Sequence, residues 1–316
     1  MEALVTDWTK ERVLVTGGTG FLGSHLVDQL EQLSPGEVYA PSSQQVDVRQ
    51  MDDIHGIFRN MRPTIVFHLA ATVGGIGANQ ANPATFFYDN LMMILNVMEA
   101  SRLYGAKKYI GVGTVCSYPK FCRVPFREED LWDGYPEETN APYGLAKRMQ
   151  IVQAQAYRAQ YGFSAITLIP VNLYGPRDNF DPETSHVIPA MIRKFLEAKE
   201  RGLKAVTLWG TGSASREFLH VRDCARALVL AAERYDDPAP VNLGTNAEIT
   251  IRGLAEMLKD VTAFSGNLLW DSSKPDGQPR RCLEVSKAER NFGFVAETPF
   301  GAGLAETVEW YKASRA

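Results

Sequence analysis

VLVTGGTGFLGSHLV, residues 13–27, runs from a β-branched apolar stretch into glycines at 17, 20 and 23 and then directly into a helical pattern. Strand, glycine turn and helix in that order make a phosphate cradle. The first glycine permits a tight turn, the second lets backbone approach a pyrophosphate, and the third lets helix pack on strand while the helix N-terminus faces the phosphate charge. Gly17, Gly18, Thr19, Gly20, Phe21, Leu22 and Gly23 are therefore expected to hold a dinucleotide.

Beyond the cradle, short β-rich runs alternate with helical patterns. EVYAP, IVFHLAA, KKYIGVG and AITLIPV read as strands, with long helices over 83–104 and 143–161. Repeated βαβ units predict an α/β fold, a Rossmann-type doubly wound parallel sheet covered on both faces. IVFHLAA and YIGVG are almost continuously apolar, as strands buried on both faces are. After NLYGPRDN, 172–179, the rhythm loosens into a smaller C-terminal α/β lobe with helices near 187–198, 221–235 and 251–261 and the strands AVTLWG and VNLG. This divides the chain into a nucleotide-binding domain, 1–174, and a mainly substrate-binding lobe, 175–316, with segments near 215–245 packing back on the first domain. Residues 267–285, NLLWDSSKPDGQPRRCLEV, read as an irregular segment able to close over a ligand.

Composition narrows the class. At 316 residues, 45% apolar and 22% charged, the chain can bury a large core, and no apolar run reaches the ~20 residues of a membrane span. A net charge of −4 without a basic stripe argues against nucleic acid as partner. The N-terminal sequence has no charged, apolar and cleavable signal pattern, and Cys116, Cys122, Cys224 and Cys282 have neither CxxC nor zinc-like spacing. A soluble cytoplasmic protein without a metal site is expected.

The end of the second strand, YAPSSQQ, lacks the acid that an NAD-preferring fold places against the adenosine ribose. Ser42 and Ser43 suit a 2′-phosphate, yet the basic residue usual for that task is absent from this stretch. NADP is favoured over NAD, which is not excluded. Asp47 either contacts adenine or is a solvated loop acid.

In NAPYGLAKRMQ, Tyr143 and Lys147 stand four residues apart, so on a helix they share a face and the ammonium can lie beneath the phenol. Thr114 ends a buried strand 29 residues earlier and supplies a hydroxyl. Together with the glycine cradle, these residues resemble the extended branch of the short-chain dehydrogenase/reductase family, which acts mainly on nucleotide sugars. Serine is more usual there at the position of Thr114, and threonine offers the same oxygen. The segments at 68–79, 114–120, 170–180, 185–195, 208–221 and 273–281 are similar, in matching order, to those of the branch's GDP-4-keto-6-deoxy-D-mannose 3,5-epimerase-4-reductases. Carried over, the resemblance implies reductase roles for Thr114, Tyr143 and Lys147 and epimerase roles for Cys116 and His186. It implies cofactor contacts from Leu69, Ala70, Ala71, Pro170, Val171, Asn172 and Leu173 as well as Tyr143, Lys147 and His186. Lys194, Trp209, Arg216 and Asp276 would line the GDP-sugar site, and the helices over 83–104 and 143–161 would form a homodimer.

Inverting a carbon beside a ketone requires removing a proton from one face and delivering one to the other, through an enolate whose charge gathers on the ketone oxygen. Cysteine and histidine, with ordinary pKa values of about 8.5 and about 6.5, suit that exchange. On an extended strand Thr114 and Cys116 would point to the same side. A related enzyme acting on another deoxy or heptose GDP-sugar, a redox-neutral epimerase, and a noncatalytic dinucleotide sensor are the alternatives.

Overall fold

The computed structural model describes residues 6–182, 184–274 and 276–315. Its strands are β1 (Arg12–Thr16), β2 (Glu37–Tyr39), β3 (Ile65–His68), β4 (Lys108–Val112), β5 (Ala165–Pro170), β6 (Asn172–Tyr174), β7 (Ala205–Trp209), β8 (Ser215–His220), β9 (Val241–Leu243), β10 (Glu248–Thr250), β11 (Asn267–Asp271) and β12 (Arg280–Arg281). Its helices are α1 (Phe21–Gln32), α2 (Met51–Met61), α3 (Ile76–Ala81), α4 (Pro83–Leu103), α5 (Ala141–Tyr161), α6 (Val187–Glu200), α7 (Val221–Arg234), α8 (Ile251–Thr262), α9 (Ser286–Phe292) and α10 (Phe300–Arg315).

Strand alternation explains the central layer. In β1, Val13 and Val15 join one core with Leu26 and Leu30 of α1, while Leu14 joins another with Ile54 and Phe58 of α2. β3 repeats this, with Phe67 on the first side and Val66 on the second. Apolar residues are thus needed at every position. The resulting six-stranded parallel sheet has the order β2-β1-β3-β4-β5-β9, with α1 and α7 on one face and α2 and α4 on the other. Its chain reverses direction of winding between β2 and β3, on either side of β1. That switch point opens a crevice at the carboxyl ends of the strands.

Gly17 sits at φ +74°, and a Cβ there would lie 2.6 Å from the Ala70 nitrogen. A Cβ on Gly23 would come 2.1 Å from the Gly17 carbonyl oxygen. The cradle is therefore glycine-bound by backbone contact alone.

The rest of the chain builds a second core from α6, α8 and α10 with β7 and β8. β5 passes through Val171 into β6, which leaves the main sheet to pair with β8; β8 also pairs with β10 and β12, and β11 lies parallel to β7. β9 then returns to the main sheet beside β5, and α7 packs on α1. The segment expected to be irregular over 267–285 differs: it begins as β11 and includes β12, because Asn267–Asp271 finds a ladder along β7. Among the described residues, no helix is long and apolar enough to cross a membrane.

Gly23→Ala should strain the cradle by about 1–3 kcal/mol. It is expected to lower Tm by several degrees and weaken dinucleotide binding in a fluorescence titration. Gly56→Ala, in α2 with open space where its Cβ would stand, should do neither.

Candidate active site

A cavity of about 670 Å³ opens at the switch point and runs from the glycine cradle to the ends of β4 and β5. Gly17, Thr19, Gly20, Phe21, Leu22 and Gly23 line one end, with Asp47, Leu69, Ala70 and Ala71 beside them. Thr114, Cys116, Tyr143, Lys147, Pro170, Val171, Asn172, Leu173 and His186 line the other. A glycine turn without room for a Cβ, leading into the N-terminus of α1, fits the pyrophosphate of a dinucleotide. Two expected contacts lie outside the lining. Gly18 is packed against Ala40, and the Ser42 hydroxyl donates to Gln45 Oε1 at 3.1 Å, leaving Ser43 on the wall.

A base stands on this part of the wall, six residues beyond Ser43. Arg49 lines the cavity, holds both oxygens of Asp47 through Nε (2.9 and 3.2 Å), and reaches Asp89 Oδ2 at 3.0 Å. Its hydrogen bonds hold the Asp47 carboxyl below its ordinary pKa. Asp47 is thus already engaged, and a guanidinium stands where the adenosine end of a dinucleotide would lie.

At the other end β4 stops at Val112, and residues Val115–Ser117 form a 3-10 turn capped by Thr114, whose hydroxyl oxygen accepts from the Cys116 N–H at 3.2 Å. The extended strand expected through Cys116 is therefore corrected: the turn, with its local side-chain cap, brings Thr114 and Cys116 to one cavity. A Cβ on Gly144 would meet the Cys116 carbonyl oxygen at 2.4 Å, so α5 lies directly on that turn. Ser117 Oγ donates to the Gly144 carbonyl at 3.0 Å and fixes the contact.

Tyr143 lines the same cavity as Thr114. Burial raises its pKa well above the ordinary phenol range, with the Cys116 charge adding and Thr114 opposing. One turn on, the Lys147 ammonium is 2% exposed and donates to the Val112 carbonyl at 3.0 Å. Burial brings its pKa down to about 8. His186 is the N-cap residue of α6 but its ring makes no capping hydrogen bond. Although the residue is exposed at the cavity, the protein around the ring disfavours the imidazolium and lowers its pKa.

The four expected sugar-site residues lie outside the cavity lining. Trp209 is 67% exposed, with the Lys194 ammonium 6.0 Å and the Lys274 ammonium 5.5 Å from its ring centroid. Arg216 of β8 is close enough to Cys116 to feel its charge, and burial followed by the neighbouring Arg281 lowers its pKa to about 10. The Asp276 oxygens accept from Thr211 N–H and Oγ1, each at 2.7 Å, and so shape the 210–212 turn. Sequence reasoning passed over Arg49, Lys274 and Arg281. Lys274 was legible as a cation in the same SKPDGQPRR run as Asp276, whereas Arg49 and Arg281 are brought in by tertiary structure.

A dinucleotide crevice that ends on a hydroxyl, a phenol and a buried lysine belongs to enzymes that move hydride and protons on sugars, and the chain belongs to the NAD dependent epimerase/dehydratase family, whose model matches residues 13–244. Within it the chain stands among the GDP-L-fucose synthases. It is 42% identical over 300 residues to GDP-L-fucose synthase 1 of Arabidopsis thaliana, covering 95% of this chain and 93% of that one. A GDP-L-fucose synthetase from Naegleria fowleri, solved bound to NADP, is 32% identical with a TM-score of 0.91, covering 100% of this chain and 96% of that chain. A GDP-6-OMe-4-keto-L-xylo-heptose reductase from C. jejuni is 30% identical, also with a TM-score of 0.91, covering 97% and 99%.

Lys147 gives the free enzyme a pH signature. Its pKa falls from 10.5 unfolded to about 8 folded, so between those values the unfolded chain holds more protons and stability rises with pH. Below pH 8 the buried ammonium costs about 3 kcal/mol. Lys147→Met should therefore raise the Tm of the cofactor-free protein at pH 7, and the gain should shrink as pH rises toward 10.5. A pH-independent difference in melting would contradict this assignment.

Proposed function

We propose that the protein converts GDP-4-keto-6-deoxy-D-mannose to GDP-L-fucose, epimerising C3 and C5 and reducing C4 with NADPH. The observation that carries this reading is the thiol of Cys116 in one cavity with Thr114, Tyr143, Lys147 and His186. A reductase alone needs no second acid–base pair.

Thr114 and Tyr143 hold the C4 oxygen, first as an enolate and then as the ketone, and Tyr143 donates its proton to that oxygen when C4 is reduced. Lys147 beneath the phenol stabilises the tyrosinate left behind. Cys116 and His186 exchange protons with C3 and C5 on opposite faces of the sugar. When bound, the reduced dinucleotide supplies the hydride to C4. A Trp209 face flanked by Lys194 and Lys274 suits guanine stacking beside a diphosphate, and Arg216 adds charge for the sugar phosphate. Arg49 supports the choice of NADPH over NADH, because it occupies Asp47 and offers a cation to a 2′-phosphate.

The lining of the cavity, drawn from Thr16 to Leu173 with His186, supports a nucleotide-binding domain over 1–174, and the Lys194–Trp209–Lys274 cluster supports a mainly sugar-binding lobe over 175–316. Phe87, Tyr88, Leu95 and Leu103 of α4 with Val152 and Tyr161 of α5 are exposed apolar residues on two adjacent helices, which supports a homodimer through that face. Four free cysteines suit the reducing cytoplasm. The likeness to the heptose reductase of C. jejuni favours, as a second reading, a reductase for another 4-keto GDP-sugar.

Purified protein given GDP-4-keto-6-deoxy-D-mannose should oxidise one equivalent of NADPH per GDP-L-fucose formed. Cys116→Ser should keep dinucleotide affinity while losing epimerisation by about 10²–10⁴-fold; full epimerisation in that variant would contradict the assigned role. Arg49→Ala should reduce the preference for NADPH over NADH, measured as the ratio of kcat/KM values, and an unchanged ratio would remove Arg49 from cofactor selection.

A further inference from the structure

Arg281 stands where neither the glycine cradle nor the Tyr143–Lys147 pair needs a cation. Its Nη1 lies 3.8 Å from the Cys116 sulfur. The guanidinium is anchored, because its Nε–H donates to Gln278 Oε1 at 3.0 Å and Gln278 Nε2 donates to the Lys120 carbonyl at 2.6 Å. Its backbone is fixed as well, with β12 pairing Arg281 to Arg216 of β8. Strand alternation turns Arg280 to the other side, where Glu248 takes up its charge. Arg281, by contrast, forms no ion pair with a carboxylate among the described residues.

The charged and titratable groups around the sulfur are Arg281 of β12, Arg216 of β8 and Tyr143 of α5, with His186 on the wall of the same cavity. Asp276, the acid near Arg216, is held by Thr211. Two guanidiniums thus stand beside the sulfur, with that acid engaged elsewhere.

We propose that Arg281 is a positioning residue for Cys116, aiming the sulfur for proton transfer beside the C4 ketone; this rests on the reading of Cys116 as an epimerising group. When Cys116 acts as base, the C–H bond breaks, the S–H bond forms, and the electron pair moves to the C4 oxygen held by Thr114 and Tyr143. His186, as imidazolium, returns a proton to the opposite face. In the reverse sense Cys116 gives up its proton, and Arg281 stabilises the thiolate that remains.

The test is alkylation of Cys116 by iodoacetamide at pH 7, followed by mass spectrometry, alongside solvent deuterium entry into the GDP-keto sugar. Background from other thiols is low, since burial pushes Cys122 and Cys282 up to about 12 and raises Cys224 as well. Arg281→Gln should slow alkylation by about 10-fold and Arg281→Lys by less than about 3-fold, because a cation beside the sulfur holds it in place and supports the anion that attacks the reagent. Deuterium entry should fall in the same order with dinucleotide affinity unchanged. Gln278→Ala, which frees the guanidinium without removing it, should slow alkylation by an intermediate factor and covers the case in which Arg281→Gln does not fold. Unchanged alkylation in both Arg281→Gln and Gln278→Ala overturns the pairing, and a raised KM for the GDP-sugar alone would make Arg281 a phosphate contact instead. Slowed alkylation together with full epimerisation by Cys116→Ser sinks the proton-transfer role itself. Unchanged alkylation with an inactive Cys116→Ser sinks only the part assigned to Arg281.

Discussion

The buried ammonium of Lys147 is the constraint around which the catalytic end is arranged. It donates to the Val112 carbonyl where β4 ends, so α5 must lie against that strand end. Gly144, with no room for a Cβ over Cys116, and the Ser117 hydroxyl on the Gly144 carbonyl bring the helix into that contact. Arg148 then ties the next turn of α5 to the Ser117 and Gly134 carbonyls. These contacts fix the first turns of α5, and with them Tyr143, on the cavity that Thr114 also lines. A lysine held at about 8 by burial destabilises the free fold below that pH.

The second lobe completes the site through strand pairing. Because β6 continues from β5 and pairs with β8, the end of the main sheet is joined by backbone hydrogen bonds to the strand that carries Arg216. β12 adds Arg281 in register beside it. The two arginines are therefore placed relative to Cys116 by ladders rather than by loops. The hydroxyl follows β4 and the phenol and lysine stand on α5, whereas the cations next to the thiol come from β8 and β12. Proton transfer in the proposed reaction thus depends on both halves, and support of the C4 oxygen on one.

Much of this was legible in the chain because it is encoded locally. Gly17, Gly20 and Gly23 carry their meaning in spacing and context, and the continuous apolar runs of β3 and β4 announce burial on both faces. Tyr143 and Lys147 share a helix face by period alone. What was not legible depends on contacts between distant residues or on one local competition. The turn at Val115–Ser117 replaced an extended strand because the Thr114 side chain caps it, a choice that propensity does not reveal. Arg49 reaches the cavity only by clasping Asp47 and Asp89, one of them in α4. The contact of Asp276 with Thr211 joins residues 65 apart, and Arg281 had no sequence signal that separates it from Arg280.

The central claim is that one cavity both inverts carbons and reduces a ketone. It is tested most directly by turning over GDP-4-keto-6-deoxy-D-mannose with unlabelled NADPH in deuterated water and reading the product by NMR. The account predicts GDP-L-fucose with deuterium at C3 and C5 and protium at C4. A C4-reduced product that keeps protium at both C3 and C5 would contradict it, leaving a plain reductase in which Cys116 has no chemical part.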